Sequence, residues 1–338
     1  MSDRPRVWIS RPLFDDIIDG LRVHCDVEAE TENQSWSAKQ IGAKLRDKHG
    51  AVLGVSDPLD AESIAQAKSL RAVANTAVGY NNLDLPALTA AGIVATNTPD
   101  VLNEAVADFA WTLMLSTARR VTEAERYLRD GQWRGMSYHL MLGAEISGQT
   151  LGIYGMGRIG QAVARRAIGF NMPVIYHNRS RVDASIEREC RAAYVSRDEL
   201  LQRSDFLVLV LPYSAETKHA IGEAELAMMK HSAILVNVAR GGIVDDVALI
   251  DALRSKRIAG AGLDVFENEP AFNRDFATLD NVVLTPHIAS ASTATRRAMT
   301  QLACNNLIAA LGFGPHAGKP PNILNPDALK NIRRDLSQ

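Results

Sequence analysis

Cysteine is scarce in this sequence. Its 338 residues include three cysteines, Cys25, Cys190 and Cys304, which are widely separated and form no C-x-x-C pair. An odd number at such spacing indicates neither a disulfide framework nor a zinc site, so we expect no bound metal. Unpaired thiols are typical of reducing compartments, and we expect the protein in the cytoplasm.

An excess of charge of one sign is also missing. The chain has 37 Lys plus Arg against 39 Asp plus Glu, which gives a formal net charge of -2. This balance predicts no broad basic face, so we expect no nucleic-acid partner. The longest apolar runs, such as FLVLVL at 206–211, fit one buried strand, and the start MSDRPRVWIS has no apolar signal segment. No membrane partner is expected either, because a span needs about 20 apolar residues.

The composition of the whole sequence is typical of a globular protein, with 46% hydrophobic and 22% charged residues. A chain of this length corresponds to roughly two domains. In the first hundred residues, short apolar runs alternate with segments whose apolar residues recur at helical spacing, which predicts βαβ units and a parallel sheet. The predicted strands are 6–10, 51–56, 70–76 and 92–97.

A second alternating series begins after a long helical pattern at 103–133, which we predict as one uninterrupted helix. Its first half is apolar nearly all round and therefore needs burial on more than one side. Near residue 290 the pattern changes again, to one helix followed by a tail rich in Pro and Gly. The strands predicted between these points are 150–155, 173–178, 206–212, 233–239, 260–266 and 281–286.

The segment that follows the strand at 150–155 carries a G-x-G-x-x-G pattern, Gly155-Met156-Gly157-Arg158-Ile159-Gly160. Between a strand and a helix, the first glycine permits a tight turn, the second lets the backbone approach a pyrophosphate, and the third allows close helix packing. The helix N-terminus then directs N–H groups at the phosphates. The pattern predicts a dinucleotide site formed by Gly155, Gly157, Arg158, Ile159 and Gly160.

The end of the next strand indicates which dinucleotide binds. An acidic residue about 20 positions beyond the glycines would hold the ribose 2′-hydroxyl of NAD. Here the sequence is Asn178-Arg179-Ser180-Arg181, with no carboxylate to repel a 2′-phosphate. Arg179 can form a charge-assisted fork with that phosphate, Ser180 can donate a hydrogen bond, and Arg181 can add to them. We predict NADP as the preferred cofactor, with NAD as the alternative.

Three further segments follow later strands, at 236–245, 262–270 and 285–290, and the segment 75–84 reads NTAVGYNNLD. Together with GMGRIG, they resemble the D-isomer-specific 2-hydroxyacid dehydrogenases over most of the chain. Within that family, VADFAWTLMLSTARRV, LDVFENEP and the Asn-Arg cofactor loop are most similar to glyoxylate/hydroxypyruvate reductases and bacterial 2-ketogluconate reductases.

Reduction of a 2-oxoacid requires a group that holds the carboxylate, one that polarises the carbonyl, and a proton donor. Arg240 is permanently charged and forked, which suits the carboxylate and the carbonyl oxygen. His287 can donate the proton, since imidazole titrates near neutral pH. Glu269, paired with the imidazole, would favour its protonated form. The resemblance assigns the same three catalytic roles to Arg240, Glu269 and His287.

The resemblance also implies a fold, an assembly and further contacts. It implies a Rossmann-type dinucleotide-binding domain, residues 103–290, inserted in a discontinuous flavodoxin-like substrate domain formed by 1–102 and 291–338. The backbone N–H groups of Val78 and Gly79 should hold the substrate carboxylate. The molecule should be a homodimer built on the cofactor domains. Residues implied at the cofactor are Pro212, Thr217, Val238 and Asp264, the last at the nicotinamide amide.

Two positions depart from the family pattern. Ala289 stands where the family commonly has Gly, and 138–141 lacks the Trp that some eukaryotic relatives carry there. We expect NADPH-dependent reduction of glyoxylate, hydroxypyruvate or 2-ketogluconate to D-2-hydroxyacids. The alternatives are a phosphoglycerate dehydrogenase-like or other NAD-linked enzyme, and a non-enzymatic, corepressor-like nucleotide sensor. Formate dehydrogenase is disfavoured, because its relatives use an amide where Glu269 stands.

Overall fold

A computed structural model describes residues 4–330. Its strands are β1 (Arg6–Ile9), β2 (Asp26–Ala29), β3 (Gly50–Leu53), β4 (Ala72–Asn75), β5 (Val94–Thr96), β6 (Leu151–Tyr154), β7 (Val174–His177), β8 (Ala192–Tyr194), β9 (Phe206–Leu209), β10 (Ile234–Asn237), β11 (Gly260–Leu263) and β12 (Val282–Leu284). Its α-helices are α1 (Asp15–Arg22), α2 (Ala38–Leu45), α3 (Ala61–Gln66), α4 (Leu85–Ala90), α5 (Asn103–Ala118), α6 (Val121–Arg129), α7 (Arg158–Ala167), α8 (Ala184–Cys190), α9 (Arg197–Arg203), α10 (Glu223–Met228), α11 (Asp246–Arg254) and α12 (Thr293–Ala310).

One compact unit contains the described residues up to Leu102 and those from Ser292 onward. Its parallel sheet has the order β2-β1-β3-β4-β5, which is the flavodoxin-like order. The strand β3 is buried throughout and sends alternate side chains to two hydrophobic clusters, one on each face. Side chains from α12 complete the cluster that also contains α1. The chain therefore returns after the second unit to finish the core of the first.

The second unit contains residues 103–291. Its parallel sheet has the order β12-β11-β10-β9-β6-β7-β8. Counted from β6, this is the Rossmann order with a seventh strand added beside the sixth. The order reverses between β6 and β9, and ligands of open α/β sheets bind outside the carboxyl ends of the strands at such a point. The predicted fold class, a Rossmann-type domain inserted in a flavodoxin-like one, is confirmed.

The predicted helix at 103–133 is wrong in its continuity, because α5 ends at Ala118 and α6 begins at Val121. The carbonyl of Ala118 accepts a hydrogen bond from Ala144 N (2.8 Å), and Arg120 is in the left-handed region, with a φ of 52°. A Cβ at Gly143 would meet the Ala118 oxygen at 2.3 Å, so the returning segment needs glycine to approach it. Helical periodicity continues through this break and does not reveal it.

Sequence reasoning missed two strands, β2 and β8, which lie at edges of the two sheets. Both are short, and the burial of their residues is intermediate or low. Edge strands of this kind lack the continuous apolar run that identified the central strands. None of the helices within residues 4–330 combines the length and hydrophobicity needed to span a bilayer.

Candidate active site

The second unit brings His287 and Glu269 together. His287 follows β12, Glu269 lies on the loop after β11, and His287 Nδ1 is 2.7 Å from Glu269 Oε2. The other carboxylate oxygen, Oε1, accepts a hydrogen bond from Phe266 N at 2.8 Å. Among the residues that the structure describes, His287 Nε2 has no partner. The pairing thus fixes the ring through Nδ1 and leaves Nε2 available to exchange a proton with a ligand.

The turn that carries His287 is held by Asp264. The backbone of His287 is in the left-handed region, with a φ of 53°, which is uncommon for a residue other than glycine. Its N–H donates to Asp264 O (2.9 Å), while the Asp264 carboxylate accepts hydrogen bonds from Ile288 N and Ala289 N, both at 2.8 Å, and from Thr285 Oγ1 at 2.7 Å. Burial raises the pKa of Asp264 despite these donors. Asp264 therefore fixes the histidine turn.

Arg240 lies on the loop after β10, and burial lowers its guanidinium pKa while the negative charge of Glu269 opposes the shift. Its backbone is fixed by Asn237, whose Nδ2 donates to Arg240 O at 3.1 Å. The neighbouring Gly241 allows contact with the loop that carries Glu269, because a Cβ there would lie 1.7 Å from Phe266 O. Arg240 and Glu269 thus sit on two loops in direct backbone contact.

The glycine turn after β6 has the geometry of a phosphate cradle. Gly155 has a φ of 108°, which favours glycine, and a Cβ at Gly160 would lie 2.2 Å from Gly155 O. Between them, a Cβ at Gly157 would meet nothing within 4 Å. No side chain caps α7, which begins with Arg158 and Ile159. An uncapped helix N-terminus beside open space fits a pyrophosphate, and this fit supports a dinucleotide.

Two more loops lie at the same edge of the sheet. After β7, Asn178 Oδ1 accepts a hydrogen bond from Met156 N at 2.7 Å, which joins this loop to the glycine turn. Arg179 and Ser180 follow it and are exposed.

After β9, Thr217 closes its loop by donating from Oγ1 to Pro212 O at 2.8 Å. On the same loop, a hydrogen bond with Ser214 lowers the pKa of Glu216, and the positive charge of Arg179 adds to the effect. Val238 follows β10 directly and is buried.

The first unit contains Val78 and Gly79, on the loop after β4. Three consecutive carbonyls of this loop are held: Ala77 O accepts from Thr98 N (3.0 Å), Val78 O from Asn97 Nδ2 (2.8 Å), and Gly79 O from Asn75 Nδ2 (2.9 Å). The N–H of a trans peptide points opposite to its C=O. The N–H groups of Val78, Gly79 and Tyr80 consequently face away from these partners, and none is bonded within residues 4–330. Successive N–H groups of this kind form an anion-binding concavity.

Sequence reasoning missed the roles of Asn75 and Asn97. Both are buried, and each stands at or just after the end of an apolar strand, where asparagine is otherwise depleted. An asparagine at such a position was the sequence signal that could have identified these two residues.

Ala289 departs from the family pattern without backbone strain. It is absent from the residues with positive φ, so glycine is not required there. No group of three or more His, Cys, Asp or Glu side chains in the described part of the chain is arranged to hold a metal ion.

Comparisons with known proteins agree with this arrangement. Residues 111–289 match the family described as D-isomer specific 2-hydroxyacid dehydrogenase, NAD binding domain. The chain is 47% identical over 331 residues to a glyoxylate reductase of Thermococcus gammatolerans, covering 97% of this chain and 98% of that protein. It is 44% identical to a glyoxylate reductase of Pyrococcus furiosus, with 97% of each covered.

Among solved structures, the chain is similar to an NADPH-dependent glyoxylate/hydroxypyruvate reductase from Sinorhizobium meliloti in complex with NADP and malonate. The TM-score is 0.85 and the identity 34%, with 96% of this chain and 98% of that one covered. The resemblance found in the motifs is thereby confirmed along nearly the whole length. The chain belongs to the D-isomer-specific 2-hydroxyacid dehydrogenase family of oxidoreductases.

Proposed function

We propose that this enzyme reduces small 2-oxoacids to D-2-hydroxyacids with NADPH, and that glyoxylate, hydroxypyruvate and 2-ketogluconate are its candidate substrates. The observation that carries the proposal is the pair of His287 and Glu269, which leaves His287 Nε2 unpartnered among the described residues. An imidazolium held in this way donates a proton from Nε2 to the carbonyl oxygen as the carbonyl carbon is reduced. Glu269 keeps the ring oriented and stabilises its positive charge.

Arg240 is assigned to the substrate. Its guanidinium can form two charge-assisted hydrogen bonds to a carboxylate or to a carboxylate and the adjacent carbonyl oxygen. Its burial strengthens these bonds, since water competes less for the group. In the first unit, the N–H groups of Val78 and Gly79 are assigned to the substrate carboxylate, because their carbonyls are already held by Asn97 and Asn75.

The cofactor assignment rests on the glycine turn and on the loop after β7. NADPH supplies the hydride when bound. Gly155, Gly157 and Gly160 with the start of α7 at Arg158 and Ile159 fit the pyrophosphate. Residues proposed to contact the rest of the cofactor are Asn178, Arg179, Ser180, Pro212, Thr217, Val238 and Asp264.

The absence of an acidic side chain among residues 178–181 favours NADPH over NADH. The Sinorhizobium meliloti relative, solved with NADP, supports this choice.

The test is to follow the oxidation of NADPH and NADH with a panel of 2-oxoacids and to compare kcat/KM, with chiral analysis of the product. We expect turnover with at least one small 2-oxoacid, a D product, and a higher kcat/KM with NADPH. A preference for 3-phosphohydroxypyruvate with NADH would favour the phosphoglycerate dehydrogenase-like alternative. Tight cofactor binding without turnover of any 2-oxoacid would contradict the proposed reaction.

We also propose a homodimer. Several apolar side chains on and after α6 are exposed, with 82% of Met136 and 85% of Tyr138 accessible. Large apolar side chains exposed together on one segment are a feature of interaction sites on soluble proteins. Sedimentation equilibrium should give twice the chain mass, and a Tyr138→Asp variant should shift the protein toward monomer. A monomeric wild type would contradict the proposal.

We also propose a cytoplasmic location. The three cysteines are buried and unpaired, which is compatible with it.

A further inference from the structure

The loop after β7 is anchored at both ends. At its start, Asn178 Oδ1 accepts a hydrogen bond from Met156 N at 2.7 Å, and Asn178 O accepts one from Tyr194 Oη at 3.3 Å. At its end, Val182 N donates to Tyr176 Oη at 3.1 Å. The residues between these anchors, Arg179, Ser180 and Arg181, are all exposed. A short segment fixed on both sides loses little conformational entropy when it binds a ligand.

An ion pair within the same unit adds to the anchor at the end of the loop. Arg181 binds Glu187 in a forked manner, with Nε to Oε1 at 2.8 Å and Nη2 to Oε2 at 2.7 Å. Tyr176 Oη also donates to Glu187 Oε1, at 2.7 Å. These two donors lower the pKa of Glu187 to about 2. The Glu187 side chain is only 10% exposed, so an unpaired carboxylate there would be costly.

This pairing distinguishes the two arginines in the loop. Both were candidates for a 2′-phosphate, but two N–H groups of Arg181, one on Nε and one on Nη2, already donate to Glu187. The positive charge of Arg179 instead contributes to the lowered pKa of Glu216, on the loop after β9. The loop therefore contains one arginine, Arg181, that is paired with a carboxylate of its own unit, and one, Arg179, for which residues 4–330 show no hydrogen bond or ion pair.

We propose that Glu187 and Tyr176, acting through Arg181, position the segment Arg179–Ser180 for the 2′-phosphate of NADPH, and that Arg181 is not itself a phosphate ligand. This inference rests on the proposed function and adds positioning residues that determine cofactor specificity. The two possible roles of Arg181 predict opposite changes in NADPH binding when Arg181 is released from Glu187. If Arg181 were a direct ligand, releasing it from Glu187 would strengthen NADPH binding; if it positions the loop, the same release weakens binding.

The experiment measures KM and Kd for NADPH and NADH in the wild type and in Glu187→Gln. Glutamine keeps the size of the side chain and removes the charge that fixes Arg181. We expect the KM for NADPH to rise about tenfold, the equivalent of one charge-assisted hydrogen bond. The KM for NADH and the kcat at saturating NADH should change less than about twofold, because NADH has no 2′-phosphate. Arg181→Ala should reproduce this pattern.

The matched control is Arg188→Ala. Arg188 is an exposed arginine on α8, beside Glu187, so its removal changes the local charge by the same amount and sign as Arg181→Ala without touching the loop. It should leave the NADPH to NADH ratio of KM values unchanged. A fall in the KM for NADPH in Glu187→Gln would overturn the inference, as would a loss in Arg181→Ala that Glu187→Gln does not share. If Glu187→Gln does not fold, Tyr176→Phe removes one donor from the same pair and takes its place.

Failure of the inference can be distinguished from failure of the proposed function. If the wild type turns over no 2-oxoacid, the reaction fails, but NADPH and NADH titrations followed by fluorescence still test the positioning of the loop. If the wild type binds NADPH no better than NADH, the 2′-phosphate assignment and this inference fail together, while the reduction of 2-oxoacids stands. If Glu187→Gln retains the wild-type preference for NADPH over NADH, this inference alone is overturned.

Discussion

The carboxyl edges of the two parallel sheets carry different kinds of polar group. In the second unit, the edge carries charged side chains, with Arg240 after β10 and the pair of Glu269 and His287 after β11 and β12. In the first unit, the corresponding edge carries backbone N–H groups, which Asn75 and Asn97 orient through the carbonyls of the same loop. One edge thus presents charged side chains and the other presents oriented peptide groups.

The difference has consequences for burial and for pH. Burial raises the pKa of Asp264 and lowers that of Arg240, so charged groups at the second edge are held against a desolvation cost. Peptide N–H groups and asparagine amides do not titrate in the working range. Proton transfer requires the first kind of group, whereas holding a carboxylate can be done by either kind.

The largest effect is expected from Arg240→Ala. Loss of two charge-assisted bonds, each about 1.5–3 kcal/mol, should lower kcat/KM for a 2-oxoacid by about 10²–10⁴-fold. The dissociation constant for NADPH, measured by fluorescence, should change little. Arg254→Ala, which removes an exposed arginine on α11, is the control and should retain activity. Equal losses of NADPH binding and of kcat/KM would contradict the assignment of Arg240 to the substrate.

A smaller effect is expected in the first unit from Asn97→Ala. Without its amide, Val78 O loses its donor and the peptide that presents Gly79 N–H is no longer fixed. The KM for the 2-oxoacid should rise about 5- to 30-fold, corresponding to about 1–2 kcal/mol, with little change in the KM for NADPH.

Asn325→Ala is the matched control for this variant. Asn325 is a buried asparagine of the same unit that binds Ala95 N and Ile93 O, away from the loop. Both variants should lose stability in thermal unfolding, but only Asn97→Ala should raise the substrate KM. If the two variants behaved alike, Asn97 would be structural only, and the contrast between the two edges would lose its support.

The same contrast explains how far the sequence could predict this site. Arg240, Glu269, His287 and the glycine turn were identifiable because charge or missing side chains mark them directly. The role of Asn97 depends on β4 and β5 lying side by side, which no local pattern encodes. The pairing of Arg181 with Glu187 likewise depends on how α8 packs after its loop, so the sequence alone offered Arg181 as an additional phosphate ligand. The central strands were predictable from their apolar runs, whereas the half-exposed edge strands β2 and β8 were not.

The last effect is one on stability, not on activity, and concerns Asp246, at the start of α11 in the second unit. Burial, with the charges of Glu267 and Asp245, raises its pKa well above the usual range of an aspartate, to about 6, although Glu267 N donates to it. A carboxyl whose pKa is raised by folding stabilises the protein below its unfolded pKa, and this contribution is lost as the pH rises through the folded pKa.

We therefore expect Asp246→Asn to increase the free energy of unfolding by about 1–3 kcal/mol at pH 8, with the gain falling toward zero near pH 4. Urea unfolding at the two pH values measures it. Asp251→Asn removes the same charge from an exposed position on α11 and should show no such gain.

Asn75, at the edge of the first unit, has no charge to titrate, so an Asn75→Ala variant should lose stability about equally at both pH values. If its loss instead depended on pH as strongly as the gain in Asp246→Asn, the distinction between a titrating edge and a peptide edge would be wrong.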